Sequence, residues 1–461
     1  MTKGWSRPAA IVVAVAFFVE SFDSVVLVTA APAIASEFGV AAADIGLAST
    51  AYLLAVATFI PLSGWAADRW GARRVFCSAV VVFVLGSLLC ALSPDIVTLV
   101  VARALQGVGG SMMVPVGRLI VLRNTDKRDL LRAVALLTWP ALVAPVVAPL
   151  VGGLLTQYLG WPWIFYVNVP LGVALLLAAL RFVPVVPRAS ERALDLRGLV
   201  GVSVTLVSLV LGLERLTASD GPVVGAALLA VALVAGPTTV WWLSRARHPY
   251  LDLSSFRMPT FRVTNSSGFW YRAAVSAVPF LLPLLMQEGF GWSPVLAGTL
   301  VMALFAGNLA VKPATSWLIG RLGFGVVMIG SGLGVALTLG LVALMAADTP
   351  LWWMVAVFGA SGAFRSTGFT AYGTIQFAEI GVDGMQAANT LSSTLVQVAA
   401  GVGVAVAAVL VRLVPGTEGS IEPYRWALLV VAAIAALSCI GAFRLPGGAA
   451  EDVRRGGMRR A

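Results

Sequence analysis

Charge is scarce in this chain: 11% of its 461 residues are Asp, Glu, Lys or Arg, where soluble domains carry about 25%. With 59% hydrophobic residues and a mean hydropathy of +0.94, that scarcity excludes an ordinary soluble domain and implies a polytopic membrane protein. Histidine is nearly missing. The single His248 lies in a polar connector, so a His-based metal site or His-dependent catalysis lacks its residues. The three cysteines, Cys77, Cys90 and Cys439, sit inside apolar segments and are spaced for neither a disulfide framework nor a metal. A membrane enzyme would need a reactive constellation at the interface, but there is no nucleophile elbow, His-Asp pair or ligand cluster. No cofactor is expected.

Acids are outnumbered by bases, 21 to 31, for a net charge of +10 and a pI near 10.1. The basic residues fall in short segments between apolar runs, which is the pattern of membrane orientation and not of nucleic-acid binding.

What the chain does have is apolar length. Runs long enough to span a bilayer cover 9–35, 44–66, 74–93, 96–118, 131–157, 162–183, 198–214, 222–244, 262–287, 294–317, 325–346, 351–375, 386–413 and 424–444. The fold class expected is therefore an all-α membrane protein of fourteen spans. Connector charge gives the orientation. Even-numbered connectors carry Arg69, Arg73 and Arg74; Arg123, Lys127, Arg128 and Arg132; Arg188, Arg192 and Arg197; Arg245, Arg247 and Arg257; and Arg321. Odd-numbered ones carry Glu37, Asp44, Asp95, Asp220, Glu288, Asp348, Glu418 and Glu422. Both termini are basic, so both are expected in the cytoplasm. The connector holding Glu379 and Asp383 departs from the rule, being acidic where the inside is expected. The basic start, Met1 to Arg7, leads into a run too long and too acidic for a signal-peptide core, and reads as a first spanning helix.

Two polar connectors, Pro184 to Arg197 and Arg245 to Arg257, bracket the seventh and eighth runs. Without that pair, two groups of six remain, giving a division into 1–183, a linker of 184–257 with two extra spans, and 258–461. A related turn follows the second run of each group: Gly64-Trp65-Ala66-Ala67-Asp68-Arg69-Trp70-Gly71 and Ser316-Trp317-Leu318-Ile319-Gly320-Arg321-Leu322-Gly323. Trp, Arg and the last Gly share offsets, as duplication would leave them. Parallel six-span halves suit a transporter that rocks about a central site.

The first run contains the costliest residues. Glu20 and Asp23 lie three apart, on one helix face, in the middle of an apolar segment. An ionised carboxylate at membrane depth needs a partner or a use, and such acids commonly mark ion or substrate paths. One reading is a packing device satisfied by a neighbouring helix. The other is a protonatable pair that loads and releases a proton as the site faces each side.

Four motifs accompany that pair. Gly64-x-x-x-Asp68-Arg69-x-Gly71-x-Arg73-Arg74 lies between spans two and three, and Arg103-x-x-Gln106-Gly107-x-Gly109-Gly110 lies in span four. Span five holds Ala144-Pro145-Val146-Val147-Ala148-Pro149-Leu150-Val151-Gly152-Gly153, whose small residues and prolines permit close packing and a bend. Span one runs from Asp23 to Thr29-Ala30-Ala31-Pro32. Together they resemble the fourteen-span drug:proton antiporter family of the major facilitator superfamily, among its multidrug exporters. The likeness covers nearly the whole chain. Ala66 stands where the family's loop has leucine, and Ala144 and Ala148 stand where its antiporter motif has glycine.

The resemblance implies two six-helix bundles plus two extra helices. It implies a cytoplasmic latch built on Gly64, Asp68, Arg69, Gly71, Arg73 and Arg74, with Arg118 as a candidate partner. It gives Arg103 a part in proton transfer, makes Ala144, Pro145, Ala148, Pro149, Gly152 and Gly153 an exporter's motif, and favours Asp23 over Glu20 as the coupling acid. Arg103 cannot discharge itself, so it needs an anion, and Glu20 or Asp23 is the expected one. A cation nearby favours the carboxylate and burial favours the acid, so switching between them would make an alternating-access proton site.

The second half has a different polar inventory. Asn265, Trp270, Tyr271 and Arg272 lie in span seven, Asn308 and Lys312 in span eight, Arg365 in span ten, and Asn389 and Gln397 in span eleven. With Gln106 they are the candidates for the substrate cavity, because lipid would not tolerate the charges. Snorkelling and packing are the competing roles for Lys312, Arg365 and Trp270. Acids in one half and cations in the other suggest an amphipathic or anionic cargo beside a lipophilic cation.

The expectation is thus a monomeric, multi-pass exporter in the bacterial inner membrane. It would draw on the proton gradient to move amphipathic organic compounds or drugs outward, with protons, a small-molecule substrate and membrane lipid as its partners and no nucleic acid. A dedicated exporter of one metabolite, antibiotic or lipid-linked compound stands beside it, as does a proton symporter for uptake.

Overall fold

The computed structural model describes residues 7–123, 130–185, 193–215, 221–381, 384–414 and 420–444. Among them are sixteen α-helices. The first seven are α1 (Arg7–Phe38), α2 (Gly46–Trp70), α3 (Ala72–Ala91), α4 (Ile96–Arg123), α5 (Leu130–Tyr158), α6 (Trp163–Tyr166) and α7 (Asn168–Phe182). A pair follows, α8 (Leu196–Arg215) and α9 (Pro222–Arg245). The rest are α10 (Pro259–Leu284), α11 (Pro294–Ala310), α12 (Lys312–Leu322), α13 (Phe324–Ala343), α14 (Leu351–Ile375), α15 (Met385–Leu413) and α16 (Glu422–Ser438). No strand occurs among the described residues.

Helices this apolar on every side suit a lipid surround, where each backbone N–H and C=O must be satisfied within its own segment. Twelve are long and apolar enough to cross a membrane, or thirteen if the bent pair α11 and α12 is one span. The axis turns by 52° there, where Pro313 follows Lys312 and supplies no N–H. The remaining expected segment, 351–375, is the 25-residue α14, about 38 Å at the usual rise and longer than the hydrocarbon core. Its Ser361, Arg365, Ser366, Thr367 and Thr370 make it polar, and it is not among the twelve. The run expected at 162–183 is interrupted, its first turn α6 separating from α7 at Val167. Arg128, Arg188, Arg192, Asp220, Asp383, Glu418, Lys127 and both charged termini lie outside the described residues.

Packing follows the sequence grouping. In the first part α1 packs on α5 and α4, α2 on α4, and α3 on α4 and α7. In the last part α10 packs on α15 and α16, α11 on α14, and α13 on α14 and α16. The main joins between the parts are α5 with α11 and α2 with α15, and α1 also touches α10 and α11. Small residues make the first of these possible. A Cβ on Gly298 would lie 2.2 Å from the Pro149 carbonyl oxygen, and one on Gly153 would lie 2.5 Å from that of Pro294. Ala144 and Ala148 are fully buried nearby in α5. At one end of the spans Gln287 donates to the Thr29 carbonyl at 2.9 Å and Arg412 pairs with Asp44.

The two related turns have the same backbone. Gly71 ends α2 at φ 92° and Gly323 ends α12 at φ 83°, a region open to glycine and costly for any residue with a Cβ. Each returns its N–H to the helix it closes, Gly71 to Ala67 and Gly323 to Ile319.

The α8–α9 hairpin sits across the seam. Val202, Leu206 and Val210 of α8 share an apolar cluster with Leu54 and Ala57 of α2 and with Leu391, Val398 and Val402 of α15. Asp195 caps α8 by accepting from the Gly198 N–H at 2.9 Å, and also accepts from the Trp242 indole at 2.9 Å and the Tyr250 N–H at 3.0 Å. Partial burial opposes its charge, but those bonds and Arg197 win and hold the carboxyl below its ordinary value. Tyr250 donates in turn to the Thr58 carbonyl of α2.

Candidate functional site

Buried charged and polar groups in the first part converge from α1, α3, α4 and α7. Asp23, halfway along α1, is 0% exposed, and Arg103 of α4 is 1% exposed. Arg103 Nη1 lies 2.6 Å from Asp23 Oδ2 and 2.6 Å from Gln106 Oε1. The other carboxylate oxygen, Oδ1, accepts from Gln106 Nε2 at 2.9 Å and from Asn168 Nδ2 at 2.7 Å. Ser87 Oγ, on α3, accepts from the same two amides at 2.5 and 3.2 Å. Three donors thus saturate the carboxylate, and the anion and cation compensate each other away from water.

The span-four glycines explain the convergence. A Cβ on Gly107 would meet the Tyr52 carbonyl at 2.5 Å, and one on Gly110 would meet the Tyr52 hydroxyl at 2.8 Å. Glycine at these positions lets α2 lie close against α4, which brings Tyr52 under Arg103. The guanidinium carbon stands 4.4 Å from the centre of the Tyr52 ring and 5.7 Å from that of Phe165, so two aromatic faces share its charge. Tyr52 then donates from its hydroxyl to Glu20 Oε1 at 3.2 Å. Glu20 keeps some exposed surface where Asp23 has none. Cys90 donates weakly to Gln106 Oε1 at 3.8 Å.

The latch residues are peripheral. Asp68 is half-buried, whereas Arg69, Arg74 and Arg118 are exposed and Gly64 faces open space. Arg73 donates to the Leu180 carbonyl at the end of α7.

The candidates of the last part divide into three places. Asn265 and Arg272 share one face of α10, Arg272 Nη1 donating to Asn265 Oδ1 at 3.2 Å. Asn265 donates to Gln376 Oε1 at 3.2 Å, which also accepts from Ser392 at 2.9 Å. Tyr271 stacks on Tyr372, centroids 5.0 Å apart, and donates to the Phe364 and Arg365 carbonyls. On the α11–α14 seam, Arg365 lies 5.6 Å over the Phe305 ring and Lys312 donates to Thr370 Oγ1 at 3.1 Å. Asn308, also on α11, is half-buried, like Gln397 on α15, while Asn389 is exposed. Trp270 is 51% exposed and lines an outer groove between α10 and α16, apart from the others. Gln106 belongs with Asp23 and not with this set.

Tyr52, Ser87 and Asn168 were not singled out from the sequence. Asn168 left the clearest signal, an amide inside the run 162–183, whose charged Arg181 lies at its far end. The acidic connector has a structural account too: Glu379 Oε2 accepts from the Thr260 hydroxyl at 2.6 Å and its N–H at 3.2 Å, in the first turn of α10, where a negative charge is favourable. No group of three or more metal-ligating side chains occurs among the described residues.

The profile of the Major Facilitator Superfamily matches residues 13–260 and 264–459. MdtD of Escherichia coli O6:H1, named for multidrug resistance, is 32% identical over 455 residues, covering 96% of this chain and 95% of its own. Among solved structures, the nucleoside transporter NupG superposes with a TM-score of 0.68 at 14% identity, over 95% of this chain and 99% of that one. A POT family transporter in complex with 5-aminolevulinic acid also gives 0.68 at 14% identity, over 94% of this chain and 95% of that one. These last two likenesses concern the fold.

Proposed function

The chain belongs to the Major Facilitator Superfamily, and on that premise we propose that it is a proton-coupled antiporter that exports amphipathic organic compounds across the bacterial inner membrane by alternating access. Its fourteen spans would comprise the twelve apolar helices, the bent pair α11–α12, and α14. Residues 1–183 and 258–461 would be the rocking halves, 184–257 the accessory pair, and both termini cytoplasmic. It would act as a monomer, with the proton gradient as the driving force and no cofactor.

The observation that carries this reading is the Asp23–Arg103 pair, fully buried in mid-span, with Glu20 beside it. A transporter with no ion to carry has little use for so costly an arrangement. Asp23 is the principal proton carrier. Proton uptake on its carboxylate ends the ion pair and leaves Arg103 on Gln106 and the two rings, so protonation and helix position are linked. Glu20, with surface of its own, is the auxiliary acid that hands the proton inward. The Gly64 to Arg74 loop serves as the cytoplasmic latch. The small-residue faces of α5 and α11 form the bearing on which the halves turn. The naming of the bacterial relative for multidrug resistance supports export of amphipathic compounds.

The test is flux in proteoliposomes under an imposed pH gradient. Asp23→Asn should abolish gradient-driven accumulation of an exported dye while leaving dye binding intact. Full coupled flux in that variant would place the proton elsewhere.

A further inference from the structure

Buried charge is distributed unevenly between the two parts of the molecule. The first part holds Glu20, Asp23 and Arg103 in one group, each cation and anion in contact or close to it. The last part holds Arg272, Arg365 and Lys312. The carboxylates described there lie elsewhere: Glu379 is taken by Thr260, Glu422 by Arg425, Glu288 is in the last turn of the α10 span, and Asp348 is in a connector.

Arg365 is the most exposed to this deficit in energy terms. It is 6% accessible, and two of its nitrogens, Nε and Nη1, are buried with no hydrogen-bond partner. Its guanidinium lies over the face of Phe305. Arg272, 2% accessible, spends Nη1 on a neutral amide and leaves Nε unpartnered. Beside Arg365 on α14, the Ser361 and Ser366 hydroxyls are also buried and unpartnered. Lys312, at the bend between α11 and α12, uses one of its three donors on Thr370. A guanidinium cannot give up its proton, and leaving buried donors unpaired is costly, so a place built this way requires an anion.

We propose that the last part of the chain carries an anion-binding subsite for the cargo, centred on Arg365 with Lys312 on the same α11–α14 seam. It takes the carboxylate, sulfonate or phosphate ester of an amphipathic organic compound, with the apolar body of that compound on the Phe305 side of the guanidinium. This deepens the transport reading and rests on it for the word cargo. Arg365 is the specificity-determining residue, because its planar fork of donors matches such headgroups in a bidentate way. Export of a negatively charged compound in exchange for an entering proton also fits buried acids in the first part and buried guanidiniums without a carboxylate in the last.

The experiment measures binding alone, so its outcome is independent of whether protons are coupled. Full-length protein in phosphatidylcholine nanodiscs is titrated with decanoate, decyltrimethylammonium or decanol, and thermal stabilisation is followed. Decanoate should stabilise the parent, and the other two should do so much less. Arg365→Gln should weaken the decanoate response by about tenfold or more, as loss of a charged hydrogen-bonded pair does, and Arg365→Lys should keep part of it. Lys312→Gln supplies a second variant should Arg365→Gln elute as aggregate in size exclusion. Equal stabilisation by all three amphipaths, or an unchanged decanoate response in both Gln variants, would overturn the subsite. A response seen only when phosphatidylglycerol is added to the discs would assign the anion to lipid and overturn the cargo assignment. Loss of proton coupling with decanoate binding retained would sink the transport reading and leave the subsite standing.

Discussion

Asp23→Asn tests the central pair most directly because it changes charge and almost nothing in shape. In the parent, two carboxylate oxygens receive Arg103 Nη1, Gln106 Nε2 and Asn168 Nδ2. An asparagine has one oxygen to offer three donors, and its own amide group must point at one of them. Arg103 is left as a buried cation held only by Gln106 and two ring faces. Removing one partner of a buried pair costs about 3–5 kcal/mol, because the other charge stays behind without compensation. Removing both charges together avoids that cost. The double variant Asp23→Asn, Arg103→Gln should therefore recover most of the lost stability and still fail to couple. Thermal unfolding in detergent, read alongside pH-driven flux in proteoliposomes, separates the two effects. The expected pattern is a weakened, uncoupled single variant and a stable, uncoupled double variant. A single variant as stable as the parent, or a double variant less stable than the single, would refute the claim that Arg103 depends on Asp23.

Glu20→Gln keeps an acceptor for Tyr52, so unfolding should change little while gradient-driven flux falls and its pH dependence flattens; unchanged flux across the pH range would remove Glu20 from the proton path. Asp195→Ala deletes the cap of α8 together with its ties to Trp242 and Tyr250, and should cost about 1–2 kcal/mol in chemical unfolding. Because folding holds the Asp195 carboxyl below its ordinary value, its contribution is present in full above about pH 3.9 and is lost as the pH falls through the lower folded value, so parent and Asp195→Asn should converge only in strong acid. Gly298→Ala forces a methyl toward the Pro149 carbonyl, a clash with backbone that should cost about 1–3 kcal/mol and slow transport, whereas a neutral result would show that α5 and α11 can separate freely.

The broad architecture was legible because lipid leaves the chain few options. Apolar length and the alternation of Arg with acid mark the helices, and the exceptions have local causes. The run 294–317 conceals a 52° bend because Lys312-Pro313 interrupts it without changing its hydropathy much. The helix over 351–375 carries too many hydroxyls and an arginine to match the apolar test, yet it has the required length. Glu379 looked misplaced where a basic connector is expected because charge counting ignores helix ends, and it sits at one. In the site, Asp23 and Arg103 stood out because a buried charge is expensive anywhere along a span. Tyr52, Ser87 and Asn168 did not, because a single neutral polar residue is tolerated at many positions. What makes them a group is the close approach of α2 and α3 to α4, and Gly107 gives no hint from sequence of which carbonyl will rest on it. Trp270 shows the reverse: it neighbours Tyr271 and Arg272 in sequence, but one residue is about 100° of helix, enough to turn it outward.

The accessory hairpin constrains how the parts can move. Helix α8 touches α2 on one side and α15 on the other, so any rocking of those two helices must shear one contact. The contacts differ in kind. Toward α2 the connector after α9 makes a hydrogen bond, Tyr250 to the Thr58 carbonyl, and Asp195 fixes that connector to both ends of the hairpin. Toward α15 the surface is built from Leu391, Val398 and Val402. Apolar side chains can slide past one another within lipid at small cost, since lipid replaces whatever contact is lost. A buried hydrogen bond has no such replacement. Under the proposed rocking, the hairpin would therefore move with the part that holds Asp23, and α15 would be the surface that slips. On this account α8 lies over the α2–α15 seam, at the boundary between the part that holds the Asp23–Arg103 pair and the part that holds Arg272 and Arg365.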